Sequence, residues 1–393
     1  MKQSSATVPK TLADRAPWLF AKWFPWALFA VIAAIASVHR LLLGEGSFNN
    51  FTIFAFSWKH LLANVNLYAQ SPDHYDLFKY SPTFAFFMAP FSALPRCLGL
   101  LLWNFLNMLL PVWAINKLFI TQKQKNLILF IVLIELLSSV QNSQSNGIML
   151  GLIIGSFALF EEGKVVPGML LICLGFYIKI FAAVAAVLLF FYPKKLKSIA
   201  AGGIFVILLG ALPLTVISWD QLVAQYQNWL HLLANDPAHA QNYSFMTLME
   251  RTVGLKVGDL GYIVPGIIFL LAPFVKIKHW SDFTFRLLYL CSILIWVVIF
   301  NHKAESPTYC IALAGIAIWF IMGKKTNARK IAMLLAFLLV ALSPTDLFPK
   351  FIRVTYIEPY ALKALMPVVI WFWVTLDLLA TQVYPSSPMQ QKA

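Results

Sequence analysis

Long apolar segments recur along almost the whole chain, and this pattern constrains the fold more strongly than any other feature of the sequence. They are about 14 to 28 residues long, begin at Pro25 and continue into roughly the last thirty residues. A helix needs about 20 apolar residues to cross a bilayer, and fewer where neighbouring helices shelter it. The alternation that is typical of a transmembrane β-barrel is absent. The sequence therefore predicts an all-α, polytopic transmembrane helical bundle with about 11–13 membrane helices.

The composition agrees with a membrane protein. Of the 393 residues, 60% are hydrophobic and 12% are charged, whereas a soluble domain carries about 25% charged residues. The net charge of +14 does not indicate nucleic-acid binding, because the basic residues lie in short loops between apolar segments. We expect membrane lipids and no nucleic acid among the partners. The cysteines lack CxxC spacing and are interpreted as small buried hydrophobic residues: Cys97, Cys173, Cys291 and Cys310.

The distribution of basic residues also predicts which side of the membrane each loop faces. Basic residues precede the first apolar segment, residues 25–43, which is too long for a cleaved signal peptide. Residues 1–24 are therefore expected in the cytoplasm. Lysine-rich loops such as 193–197 and 323–330 then alternate so that the C-terminus is cytoplasmic too. We expect an integral multi-pass protein of the bacterial plasma (inner) membrane.

Residues 82–116 present a parity problem in this topology. If Lys79 is outside and Lys117 is inside, this part of the chain must cross the membrane an odd number of times. However, it contains two apolar runs that are split at Pro95 and Arg96. One solution is that one of the two runs is short and re-entrant.

A large polar and aromatic loop, residues 44–81, follows the first predicted span. Within it, residues 51–62 have an apolar face at helical spacing, which suits a helix lying in the membrane interface. We predict that this loop and the other polar segments face the outer side, where functional groups are expected. Directly before a helix-starting proline, the loop places an acid, a base and an aromatic residue at the membrane rim: Asp76, Lys79 and Tyr80. Asp73 lies earlier in the same loop.

Lys179 lies in the middle of an otherwise apolar stretch, residues 165–192. A lysine at mid-membrane costs about 2.5–3.5 kcal/mol even on insertion scales, so this side chain is expected to face a cavity or a partner. Two interpretations stay open. Lys179 either snorkels where two short helices meet, or it is the cation for an anionic group such as a lipid phosphate.

A run of six amide or hydroxyl side chains precedes Gly147, between two apolar segments. Such a run supplies many hydrogen-bond donors and acceptors without charge, which is the chemistry that grips sugar hydroxyls. The alternative is a polar turn that caps a helix. The candidate sugar- or acceptor-binding residues of this run are Gln141, Asn142, Gln144 and Asn146.

Residues 301–308 form another polar segment between apolar runs, in which Ser306 and Pro307 are expected to stop or restart a helix. Glu305 either forms an ion pair with Lys303, His302 or a distant basic residue, or is a candidate acid, base or metal ligand.

A third polar segment, residues 236–251, contains Asn242, Ser244 and Arg251. An arginine in a predicted outer loop is either a phosphate clamp or a solvated side chain. Several histidines have no metal-ligand spacing and are interpreted as structural: His39, His60, His231 and His239.

In this order, the segments resemble glycosyltransferase family 87. Its members are polytopic enzymes of the GT-C superfamily that use polyprenyl-phosphate sugars, and they are best known as mannosyltransferases. The resemblance covers roughly residues 25–310. The shared features are Asn50-Phe51, Leu67-Tyr68, Tyr80-Ser81-Pro82, Pro90, Leu94-Pro95, Trp103, Asn107, residues 142–146, 175–179 and 242–251, and Ser306-Pro307.

The resemblance implies a membrane hexosyltransferase. It would move a mannose-like sugar from a polyprenyl-phosphate donor to a lipid or glycan acceptor on the outer face. Residues 25–322 would form the GT-C-like catalytic module, and residues 323–393 the C-terminal transmembrane helices and a short tail. The donor phosphate would lie near Lys79, Lys179 and Arg251. Besides the amide run, the residues expected to bind sugar or acceptor are Tyr80, Asn242, Ser244 and His302.

One position departs from the family pattern, which has an Asp-Phe pair early in the first outer loop. The Asp of that pair is the family's expected catalytic base, but here Asn50 occupies the position. An amide cannot accept the proton of the acceptor. Asp73, Asp76 or Glu305 therefore does that work, or the chemistry is altered or lost. Many relatives need a divalent metal ion, but the sequence has no convincing ligand cluster. A divalent metal ion therefore stays open as a cofactor, and no metal-binding residue is assigned.

The main alternative to an enzyme is a polytopic transporter or lipid flippase, whose polar residues would line a pathway through the membrane. Such proteins often contain a repeat between their halves, and no convincing repeat is present here. The departure at Asn50 also keeps open a catalytically inactive member of the family.

Overall fold

The structure of the protein, a computed structural model, describes residues 16–235 and 242–380. All regular elements within these ranges are helices. The α-helices are α1 (Phe24–Leu43), α2 (Asn49–Leu62), α3 (Pro82–Phe87), α4 (Ala89–Ser92), α5 (Arg96–Lys117), α6 (Gln122–Gln141), α7 (Asn146–Glu161), α8 (Val165–Ile178), α9 (Lys195–Ala211), α10 (Trp219–Asn235), α11 (Phe245–Val253), α12 (Gly258–Leu271), α13 (Phe283–Ile299), α14 (Tyr309–Met322), α15 (Asn327–Ala336), α16 (Lys350–Ile352) and α17 (Leu365–Leu379). Ile180–Phe191 is a 3₁₀ helix, and Phe337–Leu342 and Arg353–Ile357 are π-helical.

The predicted all-α, polytopic bundle is confirmed. Within the described ranges, six helices are long and apolar enough to cross a membrane, and five more apolar helices have 10–17 residues. Helices at the periphery, such as α9, expose apolar side chains, among them Leu196, Ile207 and Leu208. A large apolar surface of this kind is stable in lipid and not in water. The protein is therefore a multi-pass membrane protein.

The centre of the bundle consists of α7, α13 and α14, whose side chains are buried on nearly all faces. A helix that is hydrophobic all round is expected to be surrounded by protein. Helix α7 packs on α5, and α13 packs on both α14 and α17. The C-terminal helices thus pack against the rest of the bundle, although the predicted division at residue 322 stays a prediction.

The parity problem of residues 82–116 has a structural solution. Helices α3 and α4 have only six and four residues, which is too short to cross a hydrocarbon core. Helix α5 has 22 residues and follows directly. By length, this part of the chain therefore crosses once, as the charge pattern requires.

The segment after α1, residues 44–81, contains the predicted amphipathic helix, which is α2. Its apolar face packs on protein, because Phe51 and Phe54 are each 1% exposed. Phe54 is in edge-to-face contact with Tyr80, Phe84 and Trp103, and such aromatic pairs stabilise beyond their buried area. The position of α2 relative to the membrane surface stays a prediction.

Two local expectations can be compared directly with the structure. Ser306 and Pro307 form a short 3₁₀ turn from which α14 starts, as predicted. Three of the cysteines are buried, but the interpretation of Cys97 as buried is wrong, because this residue lies in the exposed first turn of α5. Expectations for residues 1–15, for His239 within 236–241, and for 381–393 fall outside the described residues.

Candidate active site

A cavity of about 610 Å³ lies between the 44–81 segment, the break after α8, and the segment between α13 and α14. This volume is within the range of small-molecule sites. The cavity brings together residues that are far apart in sequence and that were singled out there for different reasons. The predicted site residues in its lining are Asn50, Asp76, Lys79, Tyr80, Gln144, Lys179, His302 and Glu305.

Lys179 occupies a break between two short helices. Helix α8 ends at Ile178, Lys179 itself is extended, and the 3₁₀ helix starts at Ile180. The lysine lines the cavity and its ammonium lies 6.0 Å from the centre of the Tyr80 ring. The side chain is therefore directed into the protein, as a lysine with a polar partner is expected to be.

A chain of hydrogen bonds connects Lys179 with Glu305 through the amide run. Lys179 Nζ donates to Asn146 Oδ1 at 2.6 Å, and Asn146 Nδ2 donates to Gln144 Oε1 at 2.6 Å. Gln144 Nε2 then donates to Glu305 Oε2. The chain runs from a cation to a carboxylate through two neutral amides, so each group is held by a defined partner.

The rest of the amide run has a structural role. Asn142 Nδ2 donates to the Ser138 carbonyl at 2.8 Å, and the turn is supported by Trp103, whose indole donates to the Ser143 carbonyl at 2.9 Å. Gln141 ends α6 and does not line the cavity. The polar turn and the binding-site interpretations therefore apply to different members of one segment.

Asn50 lines the cavity but is also a structural link. Its Nδ2 donates to the Asn142 carbonyl at 2.8 Å, which connects α2 with the amide run. A carboxylate could not make this bond, because it has no donor. The amide at position 50 therefore fits its surroundings as it stands.

Tyr80 closes the cavity beside the amide run. Its ring stacks on Phe84, and its hydroxyl lies 3.5 Å from Ser145 Oγ. Desolvation by burial raises the pKa of Tyr80, so its hydroxyl stays protonated and can donate a hydrogen bond.

Asp76 and Lys79 form the open rim of the cavity. Their charged groups are 3.9 Å apart, and the Asp76 side chain is 55% exposed. The neighbouring His74 donates from Nδ1 to the Asp76 carbonyl at 2.6 Å, and burial is the main reason that the pKa of His74 is lowered. A long and solvated ion pair of this kind contributes little to stability.

Asp73 lies outside the cavity lining. Its carboxylate accepts a hydrogen bond from His60 Nε2 at 2.9 Å, and this bond is the main reason that the pKa of Asp73 is lowered. His60 thus has the structural role that was expected for it. A well-solvated carboxylate with a lowered pKa is a weak base, so Asp73 is the least suitable of the acidic candidates.

Asn242 and Ser244 support the cavity from outside. Asn242 donates to the His302 carbonyl, and Ser244 accepts from the Thr247 amide at the N-terminus of α11. Arg251 is also outside the lining, and its guanidinium donates to the Glu358 carbonyl at 3.2 Å. The donor-phosphate role expected for Arg251 thus has no support from its position.

The sequence analysis did not single out a buried ion pair beside this site. Lys363 Nζ lies 3.0 Å from Glu135 Oε1, and the two side chains are 1% and 0% exposed. Glu135 lies in the apolar stretch 126–140, and Lys363 lies near the start of the apolar stretch 361–382. This is the same signal that identified Lys179, and it could have identified both residues.

One wall of the cavity is apolar. It contains aliphatic and aromatic side chains from the 3₁₀ helix, α10 and α13: Ile180, Phe181, Val184, Leu233, Trp296 and Phe300. Within residues 16–235 and 242–380, no three His, Cys, Asp or Glu side chains lie together as potential metal ligands.

The fold and this cavity define a multi-pass membrane protein with an internal cavity that is lined by lysine and other polar side chains on one part and by apolar side chains on another. The family model of glycosyltransferase family 87 matches residues 78–344, more than half of the chain. The protein belongs to this family and is thus a membrane glycosyltransferase by descent. The match includes Lys179 and Glu305 but begins after Asn50, so it does not bear on the departure there. A search among curated proteins found no match.

Proposed function

We propose that this protein transfers a mannose-like hexose from a polyprenyl-phosphate sugar to a lipid or glycan acceptor at the outer face of the bacterial plasma membrane. The observation that carries the proposal is the hydrogen-bonded chain from Lys179 to Glu305 along one side of the cavity. It combines a cation for a phosphate, amides for sugar hydroxyls and a carboxylate for proton transfer.

The donor is proposed to bind with its phosphate at Lys179 and its polyprenyl chain along the apolar wall. Lys179 directly precedes Ile180 and Phe181, which belong to that wall. A lipid phosphate at this break would therefore have its charge beside the ammonium and its chain beside apolar side chains. The binding of the ammonium to a neutral amide leaves its charge available for an anion.

The sugar is proposed to lie along Gln144, between the phosphate and Glu305. Asn146 is fully buried and outside the lining, so its proposed role is to hold Gln144 and Lys179 in place. The acceptor oxygen forms a bond to the anomeric carbon while the bond from that carbon to the phosphate oxygen breaks. The proton of the acceptor hydroxyl moves to Glu305, and the electron pair leaves with the phosphate, whose charge Lys179 stabilises. Such a single displacement inverts the anomeric centre, and it needs the base and the phosphate on opposite sides of the sugar. No step is routed through a metal ion.

Glu305 is the preferred base because its carboxylate is held. Gln144 donates to it, whereas the Asp76 carboxylate is largely exposed and has a lysine at 3.9 Å. A catalytic group acts best when packing and hydrogen bonds fix its geometry. Asp76 at the rim is proposed to orient the incoming acceptor.

The transporter alternative receives less support. The far end of α7 is tied by an ion pair between Glu161 and Arg286, with nitrogen and oxygen 2.6 Å apart and side chains 7% and 13% exposed. This buried pair closes that end of α7, and breaking a buried pair is costly.

The proposal is tested with purified protein in lipid bilayers that contain undecaprenyl- or decaprenyl-phosphate sugars. Addition of an acceptor extract should release polyprenyl phosphate. Lys179→Ala should weaken donor binding at least tenfold, since it removes a charge-assisted contact worth about 1.5–3 kcal/mol. The control is Lys278→Ala, which changes an exposed lysine outside the cavity and should bind the donor as the wild type does.

The absence of phosphate release with every donor tested would overturn the proposal. Transbilayer movement of the lipid donor without sugar transfer would instead favour a flippase. Unchanged donor affinity in Lys179→Ala would return this residue to the role of a snorkelling lysine.

A further inference from the structure

The buried pair Lys363–Glu135 is unusual in both its burial and its position. The ammonium lies 3.0 and 3.2 Å from the two Glu135 oxygens, and neither side chain is more than 1% exposed. Burying two charges costs several kcal/mol per ion, and their attraction often only offsets this cost. The pair is therefore poorly explained by stability alone.

Lys363 makes a third contact that connects the pair with the cavity. Its Nζ donates to Ser306 Oγ at 2.7 Å and lies 5.3 Å from the centre of the Tyr309 ring. Ser306 is the residue after Glu305, in the short 3₁₀ turn from which α14 starts. The same turn has Glu305 and Thr308 in the cavity lining, so Ser306 anchors it from the side away from the cavity.

Both anchors of this turn lie on one continuous segment, which consists of α6 and the amide run that follows it. Glu135 belongs to α6, and α6 leads into the amide run that contains Gln144. Gln144 donates to the Glu305 carboxylate, while Glu135 holds Lys363 on Ser306. The carboxylate and the backbone of Glu305 are therefore fixed relative to the same segment, from two directions.

We propose that Lys363 is a positioning residue, which holds the 305–308 turn so that the Glu305 carboxylate meets the acceptor hydroxyl. Lys363 itself does not touch substrate. The inference rests on the proposed function, in which Glu305 is the base. It also gives a role to the C-terminal part of the chain, because Lys363 lies immediately before α17. A displacement of the base by about 1 Å can cost about a hundredfold in rate.

The test compares three variants in the same lipid system: Ser306→Ala, the double variant Glu135→Gln with Lys363→Met, and the triple variant. The double variant removes both charges, so no unpaired ion is left in the interior. Each should lower kcat by about ten- to a hundredfold with the donor KM unchanged. The triple variant should lose no more than the double, because the residues act through one contact.

A matched control removes another buried ion pair from the C-terminal part of the chain, in which Asp377 of α17 takes part. Arg329 and Asp377 are 5% and 7% exposed and lie away from the cavity lining. The double variant Arg329→Met with Asp377→Asn should change thermal stability and leave kcat unchanged. A kcat at the wild-type level in the Glu135→Gln, Lys363→Met variant would overturn the proposal.

A second measurement keeps this inference separate from the proposed function. Amide hydrogen exchange of the peptide that covers residues 301–308 should become faster in the Glu135→Gln, Lys363→Met variant and in Ser306→Ala, but not in the Arg329 and Asp377 control. If the wild type releases no polyprenyl phosphate, the proposed function fails while this result still decides whether Lys363 positions the turn. Unchanged exchange would refute the positioning role.

Discussion

Two carboxylates line the cavity within the described residues, and they differ in how firmly they are held. Glu305 accepts a hydrogen bond from Gln144, whereas Asp76 is 55% exposed at the rim. If Glu305 is the base, Glu305→Gln should lower kcat by about 10²–10⁴-fold and leave donor affinity unchanged. Asp76→Asn should raise the acceptor KM with a smaller effect on kcat. Steady-state kinetics with donor binding measured separately would distinguish the two roles.

Asn50 provides the internal control for this assignment. Asn50→Asp would place a carboxylate against the Asn142 carbonyl, to which the amide now donates at 2.8 Å. The new carboxylate is expected to be repelled by that carbonyl and to give no activity to the Glu305→Gln variant. Recovery of turnover in the Asn50→Asp, Glu305→Gln double variant would move the base to position 50.

The sequence predicted individual site residues better than their partners. Lys179 was recognisable as an isolated charge in an apolar stretch, and Gln144 and Asn146 as part of an unusually dense polar run. The pairing of Glu135 with Lys363 spans 228 residues, and such a contact depends on how helices pack. For the same reason, Arg251 and Asp73 had suitable chemistry but lie away from the cavity.

At the scale of elements, close packing of two helices fixes the position of the amide run. A Cβ atom added to Gly147 would lie 2.1 Å from the Asn107 carbonyl oxygen on α5, and one added to Gly151 would lie 2.6 Å from Leu110 Cγ. Small residues spaced by four on one helix face allow such an approach in membrane proteins. Asn146, which accepts the hydrogen bond from Lys179, is the residue directly before Gly147 and is therefore positioned by this contact.

Gly147→Ala should therefore disturb both stability and the site. The nearest atoms belong to the backbone of α5 and cannot move aside like a side chain, so we expect a loss of about 1–3 kcal/mol and weaker donor binding. The control is Gly203→Ala in α9, where a Cβ would meet no atom within 4 Å. Thermal unfolding in detergent should show a lower midpoint for Gly147→Ala and an unchanged or higher one for Gly203→Ala.

The loop after α7 contains an ion pair network that predicts a pH dependence. Glu162 accepts hydrogen bonds from Lys164 at 2.8 Å and Lys117 at 2.9 Å, and these bonds lower its pKa. A carboxyl whose pKa is lower in the folded state stabilises above its unfolded pKa, about 4.3 for Glu, and this contribution is lost as the pH falls through the folded value.

Glu162→Gln should therefore reduce stability at pH 7 by about 0.2–1 kcal/mol, since the lysines are partly exposed. The difference from wild type should fade below about pH 4. Glu250→Gln removes a carboxylate from an exposed pair with Lys256 and should show no measurable difference at either pH. An effect of Glu162→Gln that does not depend on pH would contradict the role of its charge.

At the scale of the whole molecule, six helices within the described ranges are long and apolar enough to cross a membrane, fewer than the roughly 11–13 expected, and five more apolar helices are shorter. The lengths of the apolar runs predicted the fold class. They did not reveal that α3 and α4 are too short to cross, because apolar composition does not distinguish a span from a buried connector. Loops that the charge pattern predicts on the same side of the membrane also contact each other in the structure. At one end, Lys195 lies over Trp280 and Arg286 pairs with Glu161. At the other end, the polar segments meet in the cavity.

The sidedness of this arrangement stays a prediction, and it can be measured by cysteine labelling. Excess lysine in the loops at the Trp280 end predicts that this end is cytoplasmic and that the cavity opens outward. In a background with the exposed Cys97 replaced by Ser, Tyr75→Cys, at a position 90% exposed on the first outer loop, should react with an impermeant maleimide in intact cells. Lys278→Cys should react only after permeabilisation. The reverse pattern would place the cavity on the cytoplasmic side and contradict the proposed transfer at the outer face.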